Sequence, residues 1–303
     1  MTVSTETTPT RRGAANAIDV LPTGAALGAE AVGLDLRDID DAAFGRLLDA
    51  WHTHSVVLVR GQALSDQNLI AFSRRLGDLD WAPIQENGRR FVEGLPEIYI
   101  VSNVKVNGES IGSLGDGEAV WHTDMSYLDM PPKASMLYAL EVPSTGGNTS
   151  FCSTYAIYDA LSGKLKDRIA GLKIKHDGTY NSGGYVRQGA TSTDDPLTSP
   201  GAVHPLVCTH PETGRRMLYL GRRRNAYLVG LKLADSEALL DELWSFVDQA
   251  EFAWESGESA ISSCGTIAAP CTAAMRSTQG AGASCTAPRS RVSSDPPDRP
   301  EGG

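Results

Sequence analysis

Residues 121–139 read W-H-T-D-M-S-Y-L-D-M-P-P-K-A-S-M-L-Y-A, and the stretch changes character half-way. Its first half sets His122 and Asp124 two apart, beside Trp121 and Tyr127. After Pro131-Pro132 it becomes the apolar run A-S-M-L-Y-A, the composition of a buried strand. On extended backbone, residues two apart project to one face, so an imidazole and a carboxylate stand side by side at a strand end. Such a pair can take two adjacent positions on a metal. With a second, distant histidine it makes the two-histidine, one-carboxylate facial triad of Fe(II), which leaves positions open for substrate and oxygen. Spacing alone does not separate that reading from a hydrogen-bonded surface pair.

Outward from this stretch, short strands alternate with a few helices. Residues 41–54, D-A-A-F-G-R-L-L-D-A-W-H-T-H, have helical periodicity, and S-V-V-L-V-R-G-Q follows as a buried strand. A second helix opens at Ser65 as N-cap and closes at Gly77 as C-cap. E-I-Y-I-V-S-N-V and T-S-F-C are strands, 104–120 is a polar, Gly-rich loop, and 154–172 is a helix with its exit. Residues 176–202, rich in Gly, Ser, Thr and Asp, make a loop long enough to act as a lid over a site. A-V-H-P-L-V-C-T-H and R-M-L-Y-L, joined by P-E-T-G-R, form a hairpin. Residues 235–250 are a helix with Leu239, Leu240, Leu243 and Phe246 on its apolar face. The mixture is mainly β with α additions, a sandwich or barrel with helices outside.

The 303 residues carry 37 acidic and 27 basic side chains, a net charge of -10. That balance excludes a general nucleic-acid or anionic-membrane binder. Arg222-Arg223-Arg224 is a local exception, read as a solvated surface or an anion-facing turn. No run approaches the ~18 apolar residues of a membrane span, and the N-terminus lacks the apolar core of a secretory signal. Residues 1–20 read as a flexible tail. Five scattered cysteines without a C-x-x-C pair fit a reducing, cytoplasmic setting.

Several segments together resemble the taurine dioxygenase / 2,4-dichlorophenoxyacetate dioxygenase superfamily of Fe(II)- and 2-oxoglutarate-dependent oxygenases. They are V-L-V-R-G-Q-A-L-S, A-F-S-R-R-L-G-D-L, W-H-T-D-M-S-Y, P-P-K-A-S-M-L-Y-A, V-P-S-T-G-G-N-T-S-F, Y-A-I-Y-D-A-L and H-P-L-V-C-T-H-P-E-T-G-R-R-M-L-Y, in the expected order. The resemblance implies a double-stranded β-helix (jelly roll) over residues 21–254. It implies His122 and Asp124 as iron ligands, Thr149 as the hydroxyl that binds 2-oxoglutarate, and Asn103 at the substrate pocket, where a plain strand-end role is equally compatible. It implies Fe(II), 2-oxoglutarate and O2 as requirements. The reaction would hydroxylate a small organic substrate while 2-oxoglutarate becomes succinate and CO2. His204 and His210 are tempting third ligands, but in the family such positions flank a hairpin. His52, His54 and His176 read as structural or surface residues. W-A-P-I-Q, 81–85, lacks the His and Tyr that taurine-specific members carry, which argues against taurine. The fold is compatible with homo-oligomers.

Beyond residue 254 the pattern departs from the family. The tail 255–303 has no Leu, no aromatic residue and no His, and holds Cys264, Cys271 and Cys285. Composition marks it as disordered, with the last core strands missing. The family's third ligand, on a segment after G-D-x-x-x-W-D-N-R, and its 2-oxoglutarate arginine belong here, and neither is present. Codon degeneracy supplies a reason. Joining the third base of each codon to the first two of the next permits, from Glu255, V-G-R-V-G-D-L-V-L-W-D-N-R-C-T-M-H-R-R-D-A-F-D. The Trp spans Cys264–Gly265 and the His spans Cys271–Thr272. Gly282 to Pro288 permit R-I-M-H-R-T. The missing segments appear in order and spacing, as expected of a one-base-class insertion or deletion near codon 255. A pseudoenzyme that keeps the pocket without catalysis is the competing reading, and a zinc hydrolase built on His122 and Asp124 a third, which would need a further His or Cys.

Overall fold

The structure, a computed structural model, describes residues 18–82, 92–102, 104–114, 120–141, 148–181, 183–256, 265–268, 273–277, 285–286 and 289–291. Asn103 lies outside the described residues.

The seven-stranded main sheet grows around Val56–Val59, whose four apolar residues are all buried. Its order is Asp19–Pro22, Ala29–Val32, Val56–Val59, Gly265–Ala268, Pro132–Tyr138, Arg289–Arg291, Leu79–Asp80. Helix α1 (Asp41–His54) covers one face, started by the Asp40 carboxylate, which accepts from the Ala43 N–H. Helix α2 (Asp66–Ser73) joins it under a reciprocal Ser65–Asn68 capping box. Leu47, Trp51, Leu69 and Phe72 pack there on Val57, Val59 and Met136 as the first core.

A second core lies under α3 (Thr154–Ala160), α4 (Gly163–Ile169) and α5 (Leu233–Trp244), with Ile157, Ile169, Leu206, Leu218, Leu239, Leu240 and Leu243 buried in it. The helical reading of 154–172 becomes two helices because Ser162 caps the second through its hydroxyl and the Leu165 N–H. The expected hairpin forms with Val207 opposite Leu218 and Thr209 opposite Arg216. Its first strand is broken at Leu206: Val203–Pro205 joins Lys173–Lys175 and Tyr227–Leu228 in another sheet. The second helix stops at Ser73, before Gly77, and the chain leaves it in tight turns through Arg75 and Leu76.

One expectation is overturned. Short strands stand where the last core strands were expected to be missing. Gly265–Ala268 lies between Val56–Val59 and Pro132–Tyr138, and Ala273–Ser277 and Ala253–Ser256 flank Thr149–Ser153. Cys285–Thr286 and Arg289–Arg291 pair likewise. A ladder is made of N–H and C=O groups that nearly every residue carries, and two apolar inner strands leave main-chain groups that need partners. Composition judged side-chain burial and not this backbone demand.

No helix among the described residues is long and apolar enough to cross a membrane. The second core should carry the stability of this half. Leu240, fully buried, should cost about 2–5 kcal/mol when cut to alanine. Glu242→Ala removes only the exposed 3.0 Å pair with Arg168 and should cost under about 1 kcal/mol. Urea midpoints of the two variants test the contrast.

Candidate metal centre

His122 and Asp124 do not end a strand as expected: a single bridge at His122 is followed by a turn that holds Asp124. His122 makes an antiparallel bridge with Arg222, and the Thr123 N–H donates to the Gly221 carbonyl at 2.8 Å. Beyond Asp124 the chain turns, with Met125 in the left-handed region at φ 51°. Trp121 packs against the second core and donates through its indole N–H to Asp248 at 2.6 Å. Ser135, on a strand of the main sheet, donates its hydroxyl to Asp124 Oδ2 at 2.7 Å. The pair therefore lies on the seam between the two cores.

Each side chain is held by its outer atom. His122 Nδ1 lies 2.8 Å from the Val120 carbonyl, a contact that requires a proton on Nδ1 and leaves Nε2 as the lone-pair nitrogen. Ser135 occupies Asp124 Oδ2, so Oδ1 faces the histidine, and Nε2 and Oδ1 stand 3.3 Å apart. Two adjacent donors on one first-row ion, with bonds of about 2.1 Å near a right angle, stand about 3 Å apart. The two groups fit that demand, and outer partners that fix tautomer and rotamer are what ligands of this kind need.

Among the described residues no third His, Cys, Asp or Glu joins them. His204 faces His176 and Tyr219, with ring centroids 5.2 Å from each, and its Nε2 lies 2.9 Å from the Leu128 carbonyl. His210 packs on His52 and Tyr155. His52 pairs with Glu212 at 2.8 Å. Thr149 is half-buried at the start of its strand, opposite Ser256 and Ser277.

His176 is fully buried, and neither ring nitrogen has a partner among the described residues. Burial first, then the neighbouring His204 and Lys175, push its pKa down to about 3, so it stays neutral. Its ring fills the space beside Gly221: a Cβ on Gly221 would fall 1.8 Å from His176 Nδ1, and Gly221 is left-handed at φ +65°.

The run Arg222-Arg223-Arg224 divides. Arg223 pairs with Glu237 and with Asp241, the latter at 2.7 Å, and Arg224 with Asp194 at 2.7 Å, the solvated reading. Arg222 is buried, and burial followed by the nearby Arg187 charge lowers its pKa to about 10. Sequence reading passes over Ser135; Arg222 departs from the solvated reading of its run, and the structural reading of His176 holds. A serine inside the apolar run A-S-M-L-Y was the one available signal.

The profile of the family described as taurine catabolism dioxygenase TauD, TfdA matches residues 19–262. The chain belongs to that family. It is 33% identical over 246 residues to a (S)-phenoxypropionate/alpha-ketoglutarate-dioxygenase of Sphingobium herbicidovorans, covering 77% of this chain and 80% of that one. It is 33% identical over 234 residues to an alpha-ketoglutarate-dependent 2,4-dichlorophenoxyacetate dioxygenase of Cupriavidus pinatubonensis, covering 74% and 77%. A crystal structure of a taurine dioxygenase from Burkholderia xenovorans superposes with a TM-score of 0.73 at 26% identity, over 91% of this chain and 90% of that one. AAD-2 in complex with Mn(II) and N-oxalylglycine shares the fold, with a TM-score of 0.72 at 23% identity over 91% and 98%.

Two outcomes test this geometry. Gly221→Ala should lower the thermal midpoint, since it adds a left-handed penalty of roughly 1–2 kcal/mol to an overpacking cost of about 1–3 kcal/mol. His176 has a folded pKa of about 3 against an ordinary 6.5, so below pH 6.5 the unfolded chain binds a proton that the fold rejects. Stability should therefore fall as pH drops from about 6.5 toward 3. His176→Phe should flatten that slope when unfolding midpoints of both proteins are compared across the window.

Proposed function

We infer that the chain is an alpha-ketoglutarate-dependent dioxygenase in which His122 Nε2 and Asp124 Oδ1 hold Fe(II) on a double-stranded β-helix scaffold. The observation that carries this is the outer support of both groups: Val120 and Ser135 occupy the far atoms and leave two near atoms 3.3 Å apart. In this reading the Thr149 hydroxyl binds a carboxylate of 2-oxoglutarate. Bound iron supplies activation of O2, coupled to conversion of 2-oxoglutarate into succinate and CO2. The protein's own residues orient: Nδ1 of His122 keeps its proton on Val120, and Ser135 keeps Asp124 from turning away. The primary substrate is a small organic acid, in keeping with the phenoxypropionate, 2,4-dichlorophenoxyacetate and sulfonate in the names of relatives.

Two donors without a third bind Fe(II) weakly. The third ligand and the 2-oxoglutarate arginine lie, on this reading, in the frame that residues 255–303 no longer use. The chain with this tail is inactive or nearly so, and the same chain continued in the shifted frame from codon 255 is the complete enzyme. The absence of a third donor among the described residues also supports a second reading, a non-catalytic protein that retains the pocket.

Succinate release from 2-oxoglutarate with Fe(II) and O2, measured for both versions, separates the readings. The shifted-frame version should turn over, and the version with the present tail should be slower by at least about a hundredfold. Equal turnover would remove the frame argument. No turnover in either version, with phenoxyacetate or hexanesulfonate as substrate, would favour the non-catalytic protein. In an active version, Ser135→Ala should cost about 10–100-fold in metal affinity or rate, as loss of outer support does.

A further inference from the structure

Arg222 and Arg187 meet at one oxygen. Arg222 Nη1 donates to the Tyr180 carbonyl at 3.3 Å, and Arg187 Nε donates to the same carbonyl at 3.1 Å. Two guanidinium groups are thus held side by side. Arg187 also lies over the Tyr127 ring, 4.0 Å from its centroid, and donates to the Tyr127 hydroxyl at 3.1 Å. Tyr127 belongs to W-H-T-D-M-S-Y itself. Arg222 is the bridge partner of His122, and residues opposite each other in an antiparallel pair put their side chains on the same face. The two cations therefore sit on the His122 side of the seam.

What this pair lacks is an anion. Among the described residues no carboxylate lies within 4.0 Å of either guanidinium. The two acids whose charge reaches Arg222, Asp124 and Asp177, are committed elsewhere. Asp124 faces His122 and accepts from Ser135, and Asp177 accepts the backbone N–H groups of Thr179 and Tyr180 at 3.0 and 3.2 Å. Arg222 has a relative exposure of 7%, and of its five N–H donors one has a hydrogen bond shown. A buried cation beside a second cation is costly unless an anion reaches it. Arg223 and Arg224, next along the chain, each have a carboxylate, so the lack is specific to the member that points inward.

We propose that Arg222 and Arg187 form the recess that takes the anionic group of the primary substrate, a carboxylate or sulfonate, next to the His122–Asp124 pair. Guanidinium forks match planar or trigonal oxyanions through paired N–H donors. Arg187 lies on the long 176–202 segment, whose base is fastened by the Ala202 N–H to the Tyr127 carbonyl at 3.1 Å. Substrate acidity is thereby read by one buried arginine beside His122 and one arginine of that long segment. This rests on the dioxygenase reading for the words "primary substrate"; the anion recess itself does not.

The test uses the full chain without metal and isothermal titration with phenoxyacetate, hexanesulfonate, neutral phenoxyethanol and 2-oxoglutarate. Arg187→Gln, Arg222→Gln and Arg222→Lys are compared with Arg223→Gln as a control, each checked for a native thermal transition. Arg187 is half-buried, so its variant keeps the question open to test even where the Arg222 variants fail to fold. At least one of the two acids should bind more than tenfold tighter than phenoxyethanol. Arg187→Gln and Arg222→Gln should each remove fivefold or more of that preference, Arg222→Lys should recover part of it, and Arg223→Gln should leave it unchanged. Equal binding of acids and phenoxyethanol to the unaltered chain would overturn the proposal, as would acid binding untouched in the folded variants. Weakening of 2-oxoglutarate alone would overturn it too, by assigning the recess to the co-substrate. Loss of 2-oxoglutarate turnover in the shifted-frame enzyme, with the acid preference intact, would overturn the dioxygenase reading and leave the recess standing.

Discussion

Gly221 has no room for a side chain, and much of the site depends on that. The His176 ring occupies the volume a Cβ would need. With hydrogen there instead, Gly221 approaches His176 closely and offers its carbonyl to Thr123, while Arg222 bridges His122. The stretch that carries His122 and Asp124 is therefore placed by packing around a buried neutral histidine. A methyl group at Gly221 would separate the layers and shift His122 with them, because a close-packed interior transmits such displacements.

The position of the pair on a seam explains its preorganisation. Trp121 is anchored in one core and Ser135 in the sheet of the other, so two independently packed units hold the near atoms of His122 and Asp124. Directly after Asp124, Met125 takes a backbone conformation that non-glycine residues seldom adopt, and the chain turns there. Conformational cost at this point is offset by packing on both sides, the usual arrangement where irregular backbone carries chemistry.

The tail separates two kinds of information. Strands at Gly265–Ala268 and Ala273–Ser277 enter the sheets through main-chain hydrogen bonds, although their composition suits no core. The family match stops at residue 262, near where the composition changes. A ladder can be completed by nearly any residue, whereas a ligand set requires a particular side chain at a particular place. Continuity of a sheet is therefore compatible with the lack, among the described residues, of a third donor beside His122 and Asp124.

The amino-acid order alone determined what local chemistry controls. Periodicity and the Asp40 cap set α1 to Asp41–His54, Ser65 with Asn68 set the start of α2, and P-E-T-G-R set the hairpin of 207–218. The two-residue spacing keeps His122 and Asp124 neighbours, their near atoms 3.3 Å apart, although a bridge and a turn stand where a strand end was expected. Long-range packing decided the rest. Arg222, Arg223 and Arg224 are identical in sequence terms, yet one turns inward beside His122 and two face acids on the surface. Ser135 and His176 acquire their places only when segments some 10 to 45 residues away arrive. Local order dictates backbone conformation within a few residues, but which groups share a buried volume depends on how sheets and helices pack, and no short-range pattern encodes that.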